Sequence, residues 1–167
     1  MTSTNFYAGI GSRKTPKDML EFMTKIATIL QQKGYTLRSG RAFGCDAHFE
    51  RGSNGAKEIF LSKDALPWAF EMAKKYVPND RPKTFDTWDP YVRGLLARNM
   101  MQILGEDGNK PVEFVVCWTP QGDYNSSEVG GTGYALRLAL DRGIPIYNLN
   151  YPEQLELFKV FIRGLFK

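Results

Sequence analysis

The sequence predicts a single α/β domain, a Rossmann-like open parallel sheet with helices on both faces. Three observations carry that expectation. Strand-like and helix-like apolar patterns alternate along the whole chain, Gly-rich turns lead from strand into helix, and no repeat or linker divides the sequence.

Residues 5–10 read as a short buried strand. Beyond them Met19, Phe22, Met23, Ile26, Ile29 and Leu30 recur at helical spacing. Thr15 is the expected N-cap of that helix, Pro16 its first residue and Gly34 its end. A second strand follows at 35–38, a short helix at 46–53 and a third strand at 58–61. A helix is expected over 65–76, with Pro67 marking its start, and an irregular loop over 77–89, which holds Pro78 and Pro82. Residues 91–104 predict a strong helix with Val92, Leu95, Leu96, Met100, Ile103 and Leu104 facing inward. The most hydrophobic stretch, 112–118, is expected to be the central strand. A helix over 129–142, a strand over 145–149 and a closing helix over 152–165 complete the pattern. The last helix carries an apolar stripe of Leu157, Phe158, Phe161, Ile162, Leu165 and Phe166, a pattern more often core than interface.

At 167 residues the chain is long enough to bury a single core. The net charge of +4 is compatible with an anionic ligand but too modest to establish nucleic-acid binding. With two cysteines and one histidine, neither a disulfide framework nor a zinc site is expected, and no metal or cofactor is assigned. No apolar run approaches 20 residues, so no membrane partner is expected and the location is expected to be cytoplasmic.

In an open parallel sheet ligands bind beyond the carboxyl ends of the strands, so the strand-to-helix turns are where chemistry is sought. The first turn holds Gly9, Gly11, Ser12 and Arg13, which combine close backbone approach, a hydroxyl, helix N–H groups and a cation. The second holds Arg38, Ser39, Gly40, Gly44, Cys45 and Asp46. There Asp46 either caps a helix or accepts a hydrogen bond from a ribose or base, and Glu50 lies one helical turn beyond it. The third, Gly130-Gly131-Thr132-Gly133, enters a helix expected to begin near Tyr134 and suits an anion seat, with a tight structural turn as the alternative. Arg98 is a candidate phosphate clamp, and Asn99 beside it either meets a ligand or ties down a loop. Trp68, Phe85, Trp88 and Tyr91 read mainly as packing, with covering a base as the other reading.

Taken together, Tyr7-Ala8-Gly9-Ile10-Gly11-Ser12-Arg13, the Arg38-Ser39-Gly40 turn with Gly44 and Asp46, Arg98-Asn99 and Gly130-Gly131-Thr132-Gly133 resemble the SLOG superfamily. That group joins DprA/Smf-like DNA-processing proteins to Lonely guy (LOG)-like phosphoribohydrolases, and the likeness is greatest to small stand-alone DprA-like proteins of bacteriophages and bacteria. The resemblance spans roughly residues 6–149. It implies a Rossmann-like domain holding a nucleotide in these loops, a homo-oligomer, and the host cytoplasm if the chain is phage-encoded. In the enzymatic branch a threonine and a catalytic glutamate follow the glycine loop, whereas this sequence has Tyr134 and Arg137 there. The catalytic residue is therefore unknown, with Arg98, Glu50 and Glu128 as candidates, and Asp46 as a further carboxylate.

Three functions follow in order of expectation. The first is binding of a nucleotide or a nucleotide-derived signal, ADP-ribose-like or cyclic, as a sensor or as a sequestering protein in anti-defence. The second is LOG-type cleavage of the N-glycosidic bond of a nucleoside monophosphate. The third is DprA-like binding of single-stranded DNA in recombination, to which Arg13, Lys14, Arg38 and Arg41 would contribute positive charge.

Overall fold

The computed structural model of the chain describes residues 5–42, 44–82 and 84–167. Five short strands form one sheet: β1 Phe6–Gly9, β2 Thr36–Ser39, β3 Lys57–Ile59, β4 Phe114–Cys117 and β5 Ile146–Asn148. All pairings are parallel, in the order β3-β2-β1-β4-β5. β1 is the central strand. The hydrophobic β4, expected at the centre, lies one place away between β1 and β5, and all four of its residues are buried.

Side chains alternate across the sheet because a strand repeats every two residues. Tyr7, Leu37, Phe114 and Val116 enter one core, while Ala8, Val115 and Cys117 enter the other. Helices α1 (Lys17–Gln32), α2 (Cys45–Ser53) and α6 (Pro152–Gly164) close the first core through Met23, Ile26, Leu30, Phe49 and Phe158. Helices α3 (Pro67–Lys74), α4 (Pro90–Leu104) and α5 (Thr132–Asp141) close the second through Ala69, Ala73, Leu96, Met100, Ala135 and Leu138. The α/β fold with helices on both faces is thus the one the alternation predicts.

Several local expectations change. Thr15 does not cap α1. It lies outside the helix, buried, with its hydroxyl bonded to the Ser12 carbonyl at 2.6 Å and to Cys45 Sγ at 2.9 Å. α3 starts at Pro67 as expected but ends at Lys74. Val92 is exposed, because residue 92 sits on the open first turn of α4 and not on the stripe that meets the sheet. Within the α6 stripe, Phe158 and Ile162 are buried while Leu157 and Phe166 are exposed, so only part of it is core. α5 begins at Thr132, two residues earlier than the glycine turn suggested, and a 3-10 turn over Ser127–Val129 precedes it.

The chain runs outward from β1 to β3, then returns to β4 on the other side of β1. The loops that leave β1 and β4 therefore diverge, and they open a crevice at the switch point of the sheet. Among the described residues no helix is long and apolar enough to cross a membrane.

Candidate functional site

A cleft of about 870 Å³ occupies that switch point. Its walls come from four places: Ile10–Lys14 after β1, Ala42 and Asp46 after β2, the face of α4 with the loop before it, and residues 127–132 leading into α5. The volume is near the top of the range of about 300–1,000 Å³ for small-molecule sites.

The loop after β1 offers less helix dipole than its sequence suggested, because α1 starts only at Lys17. Two of its amides are already used: Ser12 N–H donates to the Trp118 carbonyl at 2.9 Å and Lys14 N–H to Ser12 Oγ at 3.1 Å. The amides of Gly11 and Arg13 have no partner among the described residues. Gly11 is demanded by packing, since a Cβ there would overlap Cys45 Sγ. Burial pushes the Cys45 thiol up to about 12, so this cysteine is a packing group under the loop.

The glycine turn before α5 brings a helix N-terminus directly to the cleft. Gly130 has φ +66, a conformation that suits glycine, and it turns the chain so that α5 points its N-terminus at the cleft. The amides of Gly133 and Tyr134 donate to the Gly130 and Gly131 carbonyls, whereas those of Gly131 and Thr132 have no partner among the described residues. Gly133 lies within the helix, close to Val129 and the Arg137 guanidinium, and does not line the cleft.

The turn after β2 is closed upon itself. Asp46 Oδ2 accepts from the amides of Gly40 at 3.1 Å and Ala42 at 3.2 Å, so the carboxylate fills the position an anionic ligand would take. Burial raises the Asp46 carboxyl to about 6, against the opposing pull of Arg98 and the two amides. Asp46 still lines the cleft.

Arg98 and Asn99 act as staples for the second and third turns. Arg98 Nη1 donates to the carbonyls of Gly40 at 2.6 Å and Phe60 at 3.0 Å, and Nε to Leu95 O and Asn99 Oδ1. Asn99 Nδ2 donates to the Gly131 carbonyl at 3.1 Å. Both residues line the cleft, yet most of their bonding capacity holds the walls together. Gly40 is required by this arrangement, because a Cβ there would overlap Arg98 Nη1.

Of the expected ligand residues, Gly11, Ser12, Arg13, Asp46, Arg98, Asn99, Gly130, Gly131 and Thr132 line the cleft. Gly9, Ser39, Gly40 and Gly44 do not: Gly9 lies under Phe49, and Ser39 donates its hydroxyl to the Gly9 carbonyl. Arg38, expected among the ligand residues, does not reach the cleft either. Its guanidinium bonds Glu58 Oε1 at 2.8 Å and the Lys110 carbonyl, and stacks 4.1 Å over Phe6, at the amino end of the sheet away from the cleft. Glu50 is likewise elsewhere, paired with Arg41 and Lys57, while Glu128 lines the cleft. Arg137 is buried, donates to the Tyr76 and Tyr124 carbonyls and packs on Tyr134.

Sequence reasoning missed Arg81 on the rim and Gln102 from α4, while Trp88, read mainly as packing with covering a base as the other reading, also faces the cleft. Gln102 was detectable as a polar residue one helical turn after Arg98, inside the apolar run Met100-Met101-Gln102-Ile103-Leu104.

No protein-family model matches the chain, and no curated protein matches it. In three dimensions it is similar to DNA processing protein A from Helicobacter pylori, solved for its single-stranded DNA binding mode. The TM-score is 0.60 at 18% identity, over 98% of this chain and 81% of that one. At that identity the likeness is one of fold.

Proposed function

We propose that this protein binds single-stranded DNA, seating a backbone phosphate in the switch-point cleft. The observation that carries the proposal is the convergence of unpaired amides at Gly131 and Thr132 with Arg13, Lys14 and Arg81 on the rim. These three side chains are exposed and form no ion pair among the described residues, so their charge is available to an anion. The half-buried Trp88 adds a ring that suits a base, since stacking accepts any base. The fold shared with a protein solved for single-stranded DNA binding supports the same reading.

Anisotropy of a labelled 12-mer, titrated at two salt concentrations, tests it. Three phosphate contacts predict a single-strand slope of about −2 in log K against log salt, or roughly a 20-fold loss of affinity between about 50 and 200 mM. Binding of the single strand should exceed that of a duplex of equal length. Absence of binding at the lower salt, or equal affinity for the duplex, overturns the proposal.

The cleft volume also supports a second reading, a free nucleotide held as a signal or sequestered. A protein that retains intact nucleotide stoichiometrically and ignores oligonucleotides would establish that reading instead. N-glycosidic hydrolysis has less support. The position that holds glutamate in the enzymatic branch is occupied by Arg137, which turns away from the cleft, and Asp46 is consumed by the second turn.

A further inference from the structure

Gln102 is 1% exposed and lines the cleft floor, yet neither its Nε2 nor its Oε1 has a partner among the described residues. An unpaired buried amide is costly, and natural cores rarely keep one without a use. Its floor neighbours are, by contrast, already engaged with the protein through at least one polar atom each. Arg98 donates four hydrogen bonds to the protein and Asp46 Oδ2 accepts two. Gln102 Nε2 lies over Gly40, so close that a Cβ there would meet it at 2.5 Å. The amide is therefore held in place by packing and left open in its bonding.

Its chemistry selects what could complete it. A primary amide presents a donor and an acceptor side by side. A phosphate only accepts, so it would leave Oε1 unpaired and would also face the Asp46 carboxylate. A nucleobase edge presents the complementary pair at matching spacing, and for adenine the pairing is bidentate, with N6 donating to Oε1 and N7 accepting from Nε2. The apolar side chains of Leu95 and Leu96 beside it suit the faces of a ring.

We infer that a nucleobase enters the cleft floor edge-first and pairs with Gln102, leaving its phosphate at the mouth beside Arg13 and the Gly131 turn. The inference rests on the single-stranded DNA reading above and deepens it. Gln102 reads the base and the rim reads the backbone. A duplex presents the same adenine edge in its major groove, but a base that is stacked and paired cannot enter the cleft to reach an amide 1% exposed on its floor.

The test compares oligo(dA), oligo(dC), oligo(dT) and an abasic 12-mer on wild type, Gln102→Leu, Gln102→Met and Arg13→Ala. Wild type should prefer oligo(dA) to the abasic strand. Each Gln102 substitution should weaken oligo(dA) by about 5- to 150-fold, the worth of one bidentate base contact, and leave the abasic strand unchanged. Arg13→Ala should weaken all four strands alike. The free Gln102 variants should melt at the wild-type temperature or up to several degrees above it, because an orphan amide has been removed from a buried site. Unchanged oligo(dA) affinity in both variants overturns the inference, as does a drop in melting temperature with equal losses on every strand. If wild type binds the abasic strand as well as the others, the base reading falls and the phosphate reading stands. If it binds none of the four, both fall.

Discussion

Replacing Asp46 by asparagine should stabilise the protein at neutral pH and remove a step from its pH profile. The carboxyl is 4% exposed and lies beside Arg98, and burial outweighs that partner and two amide donors to raise it from 3.8 to about 6. A folded-state pKa above the unfolded one means that the native state keeps a proton the unfolded chain has shed. Asp46 therefore contributes most favourably below about pH 4, and that contribution is lost as pH rises through about 6. A shift of about two units corresponds to about 3 kcal/mol, of which roughly 2 kcal/mol falls between about pH 4 and pH 7. The asparagine side chain of the Asp46→Asn variant would accept the same two N–H bonds through its Oδ1 and has nothing to titrate. Urea unfolding of both proteins at about pH 4, 5, 6 and 7 measures the difference. The stability gap should move by about 2 kcal/mol in favour of Asp46→Asn across that window. Parallel profiles would show that Asp46 ionises as an ordinary carboxylate, and would refute the argument from burial.

Other substitutions probe the walls of the cleft. Gly11→Ala should cost roughly 1–3 kcal/mol through contact with Cys45 Sγ, and Cys45→Ala should restore part of it in a double-mutant cycle read by denaturation. Asn99→Ala should lower stability by about 1 kcal/mol and speed hydrogen exchange in the Gly131 turn, whose carbonyl it releases. Arg13→Ala and Lys14→Ala should each reduce the salt slope of oligonucleotide binding by about 0.7. Arg137→Glu should fail to produce free base from nucleoside monophosphates. The new carboxylate would meet the Tyr76 and Tyr124 carbonyls outside the cleft, and a destabilisation of about 3–5 kcal/mol should accompany it.

Much of the architecture was legible because parallel strands covered on both faces are continuous apolar runs, and Val115-Val116-Cys117 cannot be mistaken for a surface. The glycine turns were legible for a similar reason: they mark places where backbone meets backbone or ligand, and the first and third border the cleft. What composition and spacing do not encode is how each turn spends its amides. Asp46 sits next to its own loop in sequence, and only the fold shows that its carboxylate consumes the Gly40 and Ala42 N–H groups. The direction of Arg38 was equally hidden. A long side chain on a buried strand can run toward either end of the sheet, and here Glu58, Phe6 and the Lys110 carbonyl draw it to the amino end. The loop over 77–89 carried no periodicity, so its supply of Arg81 to the cleft emerges only from packing.

On the proposed reading, a nucleotide phosphate is held by specific amides at the switch point. Amide resonances of an isotopically labelled sample, followed while a single-stranded 12-mer is added, report on it most directly. Gly11, Arg13, Gly131 and Thr132 should shift most and saturate together, while Gly40 and Ala42, already bonded to Asp46, should move little. Saturating shifts confined to residues outside the cleft, with those four amides unmoved, would contradict it.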